Sequence, residues 1–280
     1  MIVLDHFSFR YDGCEQYALR DINLTIEDSS LFIVTGLSSS GKSTFLEAIA
    51  GIVPFCTAGT QSGRILLEHE DISLMEPVQR AKRIGFIGED IMAQMVCVKV
   101  EDEIRFGLEN LGISADAVEK RAGEAMETLG ITSLANRSIS SLSGGQRQRT
   151  AIAAMTALMP PVLLLDNPAG ALDPSGAEEL YKILKRLAGN GMTVIAAEER
   201  SELYAPYADK ILLLEKGRAK CVGSTEAVYK ELLTEGGTHT ELVPKTARFT
   251  AELSRMSHRE CVIAATAEKA ASFAMELSLC

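Results

Sequence analysis

Gly36-Leu37-Ser38-Ser39-Ser40-Gly41-Lys42-Ser43-Thr44 is the stretch whose residue types and spacing are best suited to chemistry. The apolar run Leu31-Phe32-Ile33-Val34 before it reads as a buried parallel strand. Phe45-Leu46-Glu47-Ala48-Ile49-Ala50 after it has helical composition and no breaker. Strand, glycine-bounded loop and helix in that order make a phosphate-binding loop of the form G-x4-G-K-S. Successive backbone N–H groups cradle phosphate oxygens there, aided by the positive end of the helix that starts in the loop. Lys42 is placed to reach the β- and γ-phosphates, and the Ser43 hydroxyl to hold Mg²⁺. The spacing therefore predicts a site for a nucleoside triphosphate.

The remaining elements must position this loop. Residues 1–30 read as short strands: Ile2-Val3-Leu4, then the alternating Phe7-Ser8-Phe9-Arg10-Tyr11, then Leu19 to Ile26. Tyr11 precedes the loop by about 25 residues in a sheet that should lie beside the nucleotide. It reads either as a stacking platform for adenine or as a half-buried strand aromatic. Arg64-Ile65-Leu66-Leu67 and Ile84-Gly85-Phe86-Ile87 are strands, the second leading into Gly88-Glu89-Asp90. Residues 98–142 are helix-rich, with apolar residues at helical spacing from Ala115 to Leu129. An alanine-rich helix opens at Ser143-Gly144-Gly145-Gln146 and runs through Leu158, where Pro160-Pro161 stops it. Val162-Leu163-Leu164-Leu165-Asp166 is a buried strand ending in a carboxylate, and Asp173 is an N-cap for the helix after Pro174. Two further strands cover Met192–Ala197 and Ala208–Leu214. From about Gly236 the composition changes, and two amphipathic helical segments read as a small C-terminal appendage, 236–280, on a main unit of 1–235 with a helical subdomain at about 90–160.

Composition narrows the class. The chain has 280 residues, 46% hydrophobic and 24% charged, as an ordinary globular protein does. No apolar run approaches the ~20 residues that span a bilayer, and the first residues lack the basic segment of a secretory signal. Six scattered cysteines, Cys280 among them, without CxxC pairs read as reduced, mostly packed thiols. The four histidines, His258 included, show no zinc spacing. A net charge of −10 argues against a nucleic-acid partner bound through a broad basic face.

Taken together, these residues resemble the nucleotide-binding subunit of ABC transporters over roughly 1–235. The most specific match is Leu142-Ser143-Gly144-Gly145-Gln146, the family signature, unchanged. Its glycines let backbone approach phosphate closely and Ser143 adds a hydroxyl donor. The phosphate loop matches the Walker A motif, with Ser39 where glycine is usual. Asp166 falls on the Walker B aspartate, expected to reach Mg²⁺ through water, Asp173 on the D-loop and Tyr11 on the adenine-stacking aromatic. The resemblance implies an α/β P-loop ATPase core with an antiparallel β subdomain. It also implies ATP and Mg²⁺ as ligands, and a peripheral position on the cytoplasmic face of the membrane, bound to transmembrane subunits. The segment Val100–Gly112 is similar to the energy-coupling-factor branch, which energises vitamin, cobalt and nickel import. Leu242-Val243-Pro244-Lys245-Thr246-Ala247-Arg248 resembles the start of that branch's dimerisation appendage.

Three positions depart from the family. The glutamate that follows the Walker B aspartate as general base is Asn167, and a carboxamide accepts no proton at useful strength. The switch histidine is Glu199. A carboxylate about 4 Å from a γ-phosphate charge is repelled by roughly 4 kcal/mol at an effective dielectric of about 20. Glu199 is therefore expected to be protonated, turned away or solvated. The Q-loop glutamine is Glu89, which could still meet Mg²⁺. In this family two subunits pair head to tail, so a weakly hydrolytic site here would combine with a signature that completes the partner's site. The alternatives are a subunit of another ABC branch, or a nucleotide sensor or scaffold without turnover.

Overall fold

The computed structural model describes residues 1–257 and 261–278; His258 and Cys280 lie outside them. The chain begins with β1 (Ile2–Tyr11) and β2 (Leu19–Ile26), followed by β3 (Leu31–Thr35) and α1 (Lys42–Ala50). Next come β4 (Gly59–Leu67), β5 (Glu70–Asp71), α2 (Pro77–Arg83) and β6 (Ile84–Ile87). Three helices follow: α3 (Val100–Asn110), α4 (Ala115–Thr128) and α5 (Gly144–Ala157). β7 (Val162–Asp166), α6 (Pro174–Gly189), β8 (Thr193–Ala197), α7 (Ser201–Tyr204), β9 (Lys210–Glu215) and β10 (Arg218–Gly223) alternate after them. The chain closes with α8 (Thr225–Glu235), α9 (Lys245–Met256) and α10 (Ala267–Ser278).

Two sheets organise these elements, a four-stranded antiparallel one, β2-β1-β4-β5, and a six-stranded one, β10-β9-β3-β8-β7-β6. β3, β7 and β8 are buried at every residue. Runs such as Leu31–Val34 and Val162–Leu165 carry no polar alternation because helices cover both faces of a parallel sheet. β2 instead alternates buried and exposed positions, as a strand with one wet face does. α6 buries Ala177, Leu180, Tyr181, Leu184 and Ala188, an i, i+3, i+4 stripe laid on the sheet. Asp173 caps it, accepting from the Gly176 N–H at 2.9 Å as the sequence predicts. α5 starts on a reciprocal capping box. The Ser143 N–H donates to Gln146 Oε1 at 3.0 Å and the Gln146 N–H to Ser143 Oγ at 3.3 Å.

Several expectations change. The two short strands read before Tyr11 are one ten-residue strand. Its register slips between Leu4 and Phe7, where His6 takes a positive φ of 49°, so the apolar alternation shifts phase and looks like two pieces. β4 begins at Gly59, well before Arg64, because its first half, exposed and polar, pairs with the end of β1. The cysteines are not mostly packed: Cys14 and Cys56 are exposed, and Cys97, Cys221 and Cys261 half-buried. At the C-terminal end, Leu242, Val243, Ala247 and Ile263 join the apolar cluster beneath the central sheet. Their burial ties α9 to the body.

Candidate functional site

Strand order assembles the site. β3, β8, β7 and β6 lie side by side and parallel. Their carboxyl ends therefore deliver, in one row, the loop 36–42, Glu198–Glu199, Asp166–Asn167 and Gly88–Glu89. Open α/β sheets bind ligands at this edge. A cleft of about 710 Å³ lies there. Among its lining residues are Tyr11, Ser38, Ser39, Gly41, Lys42, Ser43, Thr44, Glu89, Asp166, Asn167 and Glu199, each singled out by the sequence. Gly36 and Ser40 do not line the cleft. Asp173 and Ser143–Gln146 lie outside its lining altogether. Ser143 is exposed and the three residues after it are partly so.

The loop is built around two glycines. Gly41 has φ +105°, and a Cβ there would lie 2.6 Å from the Ala18 carbonyl oxygen. At Gly36, φ is +151° and a Cβ would lie 2.3 Å from the Leu214 carbonyl oxygen. Ser39 also has a positive φ, 62°, which accounts for the glycine usual at that position; a side chain there costs about 1–2 kcal/mol. The first-turn amides of α1 have no helical acceptors, and no side chain caps them. Ser40 Oγ is buried inside the loop with no hydrogen-bond partner. Free amides and an orphaned hydroxyl within a left-handed glycine loop fit an anion with several oxygens.

Lys42 is 11% exposed and its ammonium is fully engaged, donating to the carbonyls of Gly36 (2.9 Å) and Leu37 (3.0 Å) and to Glu199 Oε1 (2.7 Å). The sequence expects Glu199 protonated, turned away or solvated; the structure instead turns it toward the loop lysine. It is ion-paired, because the loop lysine supplies the compensating charge.

Asp166 is 9% exposed. Burial pushes its carboxyl up from the usual range, the Ser43 hydroxyl bond pulls it down, and the Glu89 charge adds to the rise. One carboxylate beside one hydroxyl suits Mg²⁺, which takes few protein ligands and completes its shell with phosphate and water. Among the described residues no group of three or more His, Cys, Asp or Glu forms a metal cage.

Tyr11 is the half-buried strand aromatic of one sequence reading, and it stands at the cleft where the other reading needs it. It stacks edge-on against Phe9 at 4.9 Å. Its hydroxyl lies 2.9 Å from Thr44 Oγ1 and donates to Glu47 at 3.1 Å, tying β1 to α1. Burial raises the pKa of Tyr11 and of Glu47.

Sequence reasoning missed several lining residues. Gln16 and Tyr17, in the turn after β1, and Lys216-Gly217, after β9, reach the cleft only through folding. Glu198 also went unread. It is 2% exposed, and its Oε1 accepts the N–H groups of Glu199 and Arg200, each at 3.0 Å. A carboxylate so buried holds the turn that presents Glu199. The signal was available as three charged residues directly after a buried strand. The loop after β6 is likewise pinned. The Gly88 N–H donates to Gln94 Oε1 at 3.0 Å, and the buried Glu103 carboxylate accepts from the N–H groups of Val96 (3.0 Å) and Cys97 (2.7 Å).

Residues 19–170 match a family model described as ABC transporter. A Streptomyces avermitilis protein described as an ABC transporter ATP-binding protein is 40% identical over 215 residues, 76% of this chain and 38% of its own. The energy-coupling factor transporter ATP-binding protein EcfA1 of Levilactobacillus brevis is 34% identical over 257 residues, 90% of this chain and 88% of its own. Among solved structures, cbiO1 of Clostridium perfringens, described as part of the ABC transporter complex cbiONQ, superposes with a TM-score of 0.76. The two are 26% identical, covering 92% of this chain and 98% of that one. The chain spans 38% and 41% of the length of the first two curated relatives it matches.

Proposed function

The chain belongs to the ABC transporter family, matched over residues 19–170, and on that premise we propose that it is the ATP-binding subunit of an importer of the energy-coupling-factor type, paired with a second ATPase subunit. The carrying observation is that the phosphate loop and the signature residues sit apart on one chain. The loop 36–44 and Asp166 serve the cleft, whereas Ser143–Gln146 start α5 outside it. A helix N-terminus of glycines, exposed and unused by its own cleft, serves the cleft of a partner. The first relatives support a pair of ATPase units, since more than half of each is unmatched and leaves room for a second body of this size. EcfA1 and cbiO1 support the importer branch, and the division into 1–235 and an appendage at 236–280 goes with it.

In this reading the loop amides and Lys42 grip the β- and γ-phosphates and Tyr11 faces the adenine. Ser43 and Asp166 hold Mg²⁺, whose charge offsets that of the phosphates. Asn167 accepts no proton, and Glu199 stands where a neutral donor would favour the γ-phosphate. This cleft therefore binds ATP tightly and turns it over slowly, and the partner's site, completed by Ser143–Gln146, carries most of the hydrolysis. Met92, Val96, Val98 and Phe106, exposed beside the loop that bears Glu89, offer an apolar seat for the transmembrane subunits.

A tagged pull-down from gently solubilised membranes tests this function. Recovery of a second ABC ATPase with the usual glutamate and histidine, together with a membrane-spanning subunit, is the expected result. Recovery of this chain alone, off the membrane, would reject it and favour a nucleotide sensor. A second test concerns Glu199. A phosphate oxygen entering the loop must displace its carboxylate from Lys42, and such pairs at a half-exposed position are worth up to about 1 kcal/mol. Glu199→Gln removes the competitor, so ATP affinity in equilibrium binding should rise roughly fivefold. Unchanged or weaker binding would show that Glu199 does not compete.

A further inference from the structure

Four carboxylates line the cleft: Glu89, Asp166, Glu198 and Glu199. Three are committed. Asp166 is buried and bonded to the Ser43 hydroxyl. Glu198 is buried and spends Oε1 on two backbone N–H groups, while Oε2 accepts from Tyr181 at 3.5 Å. Glu199 is neutralised by Lys42 at 2.7 Å. Glu89 is exposed at the cleft wall, and its one hydrogen bond among the described residues comes from Asn167 Nδ2 to Oε1 at 3.3 Å. Its Oε2 has no such bond. The Asn167 backbone is anchored at the end of β7. It adopts φ +50°, which asparagine tolerates, and its N–H donates to the Ala197 carbonyl at 3.0 Å.

From this arrangement we propose that Glu89 is the general base of this cleft and Asn167 its positioning residue. The pair keeps one carboxylate and one carboxamide facing each other, with their places on β6 and β7 exchanged relative to the usual glutamine after β6 and glutamate after Asp166. Asn167 fixes one oxygen of Glu89 and leaves the other to receive a proton, which the amide could not do. The proposal rests on the reading that the cleft binds ATP and hydrolyses it slowly. In the step, the oxygen of a water forms a bond to the γ-phosphorus. The bond from that phosphorus to the β–γ bridging oxygen breaks, and its electron pair leaves with ADP. The water's proton goes to Glu89 Oε2 and departs with inorganic phosphate.

The test uses the complex of this chain with its ATPase partner, the partner's own hydrolytic glutamate changed to glutamine so that only this cleft turns over. Mg-ATP is limiting so that a single turnover is read, and equilibrium binding of a fluorescent ATP analogue is measured beside it. Glu89→Gln should leave affinity within about twofold and slow hydrolysis on the order of 10²-fold, the usual contribution of a positioned base. The double exchange Glu89→Gln with Asn167→Glu returns a carboxylate to the other side of the pair and should restore the wild-type rate or exceed it. Wild-type turnover by Glu89→Gln, a collapse of its nucleotide affinity, or failure of the double exchange to rescue would each overturn the proposal. Wild-type protein that binds the analogue without hydrolysing ATP would overturn the slow-turnover reading together with the base. Failure to bind at all would overturn the nucleotide cleft itself.

Discussion

A complex whose copy of this chain carries Gly145→Asp should lose ATP turnover almost entirely, whereas the same complex with Asn167→Gln should keep most of it. Gly145 lies in the first turn of α5, where backbone N–H groups and the helix dipole favour an anion. In the proposed pairing, an aspartate there would set a carboxylate against the γ-phosphate held by the partner. At about 4 Å and an effective dielectric of about 20 the repulsion is roughly 4 kcal/mol, a loss near 10³-fold. A Cβ at Gly145 would also lie 2.6 Å from Leu172 Cδ2, the mobile end of a side chain that can move aside. The variant's own cleft serves as the control, because nucleotide affinity measured there should be unchanged. On the proposed function, Asn167→Gln touches the cleft that contributes little to the total. Steady-state ATPase of the purified complex reads both variants, and equal loss from the two would rule out the asymmetric arrangement.

Lys42→Ala should reduce the affinity of this chain's own cleft for ATP by a factor on the order of 10² to 10³. The ammonium reaches the loop carbonyls at 2.9 and 3.0 Å, so it is already aimed across the loop where phosphate oxygens would sit. Hydrogen bonds to a charged group are worth about 1.5–3 kcal/mol each, and more than one ends with the side chain. Removing it also frees Glu199, whose negative charge then faces the phosphates unpaired. Lys42→Ala combined with Glu199→Gln should therefore recover part of the loss. Calorimetric titration with Mg-ATP decides the matter, and an affinity within threefold of wild type would mean that the nucleotide is held without this lysine.

How much of this was legible in the sequence depends on how far apart the partners lie along the chain. β3, the glycine loop and α1 are contiguous, so their order alone fixed the chemistry, and the Asp173 cap is likewise a local signal. The β1 bulge and the polar half of β4 were illegible because each is defined by a partner strand, not by its own alternation. Substitution at positions 89, 167 and 199 could be read, but its meaning could not. The pairs Lys42–Glu199 and Asn167–Glu89 join residues 157 and 78 positions apart, and only the parallel order of β3, β8, β7 and β6 brings them together. In the signature, Ser143 is read as a hydroxyl donor to phosphate, yet its side chain and that of Gln146 each accept the other's backbone N–H, a reciprocal cap that the S-x-x-Q spacing encodes.

The loop after β6 is fastened at both ends, by Gln94 on Gly88 and by Glu103 on Val96 and Cys97. It therefore acts as a strut, with Glu89 at the cleft end, the exposed Met92 along it, and the exposed Val96 and Val98 at the other end. A substitution that re-aims one end re-aims the other, so the chemistry of the cleft and the choice of docking partner cannot diverge independently. On the proposed function, a lineage that changed its membrane subunit would inherit a changed hydrolysis rate as a side effect, and a graft of this strut into a related cassette should carry both traits together.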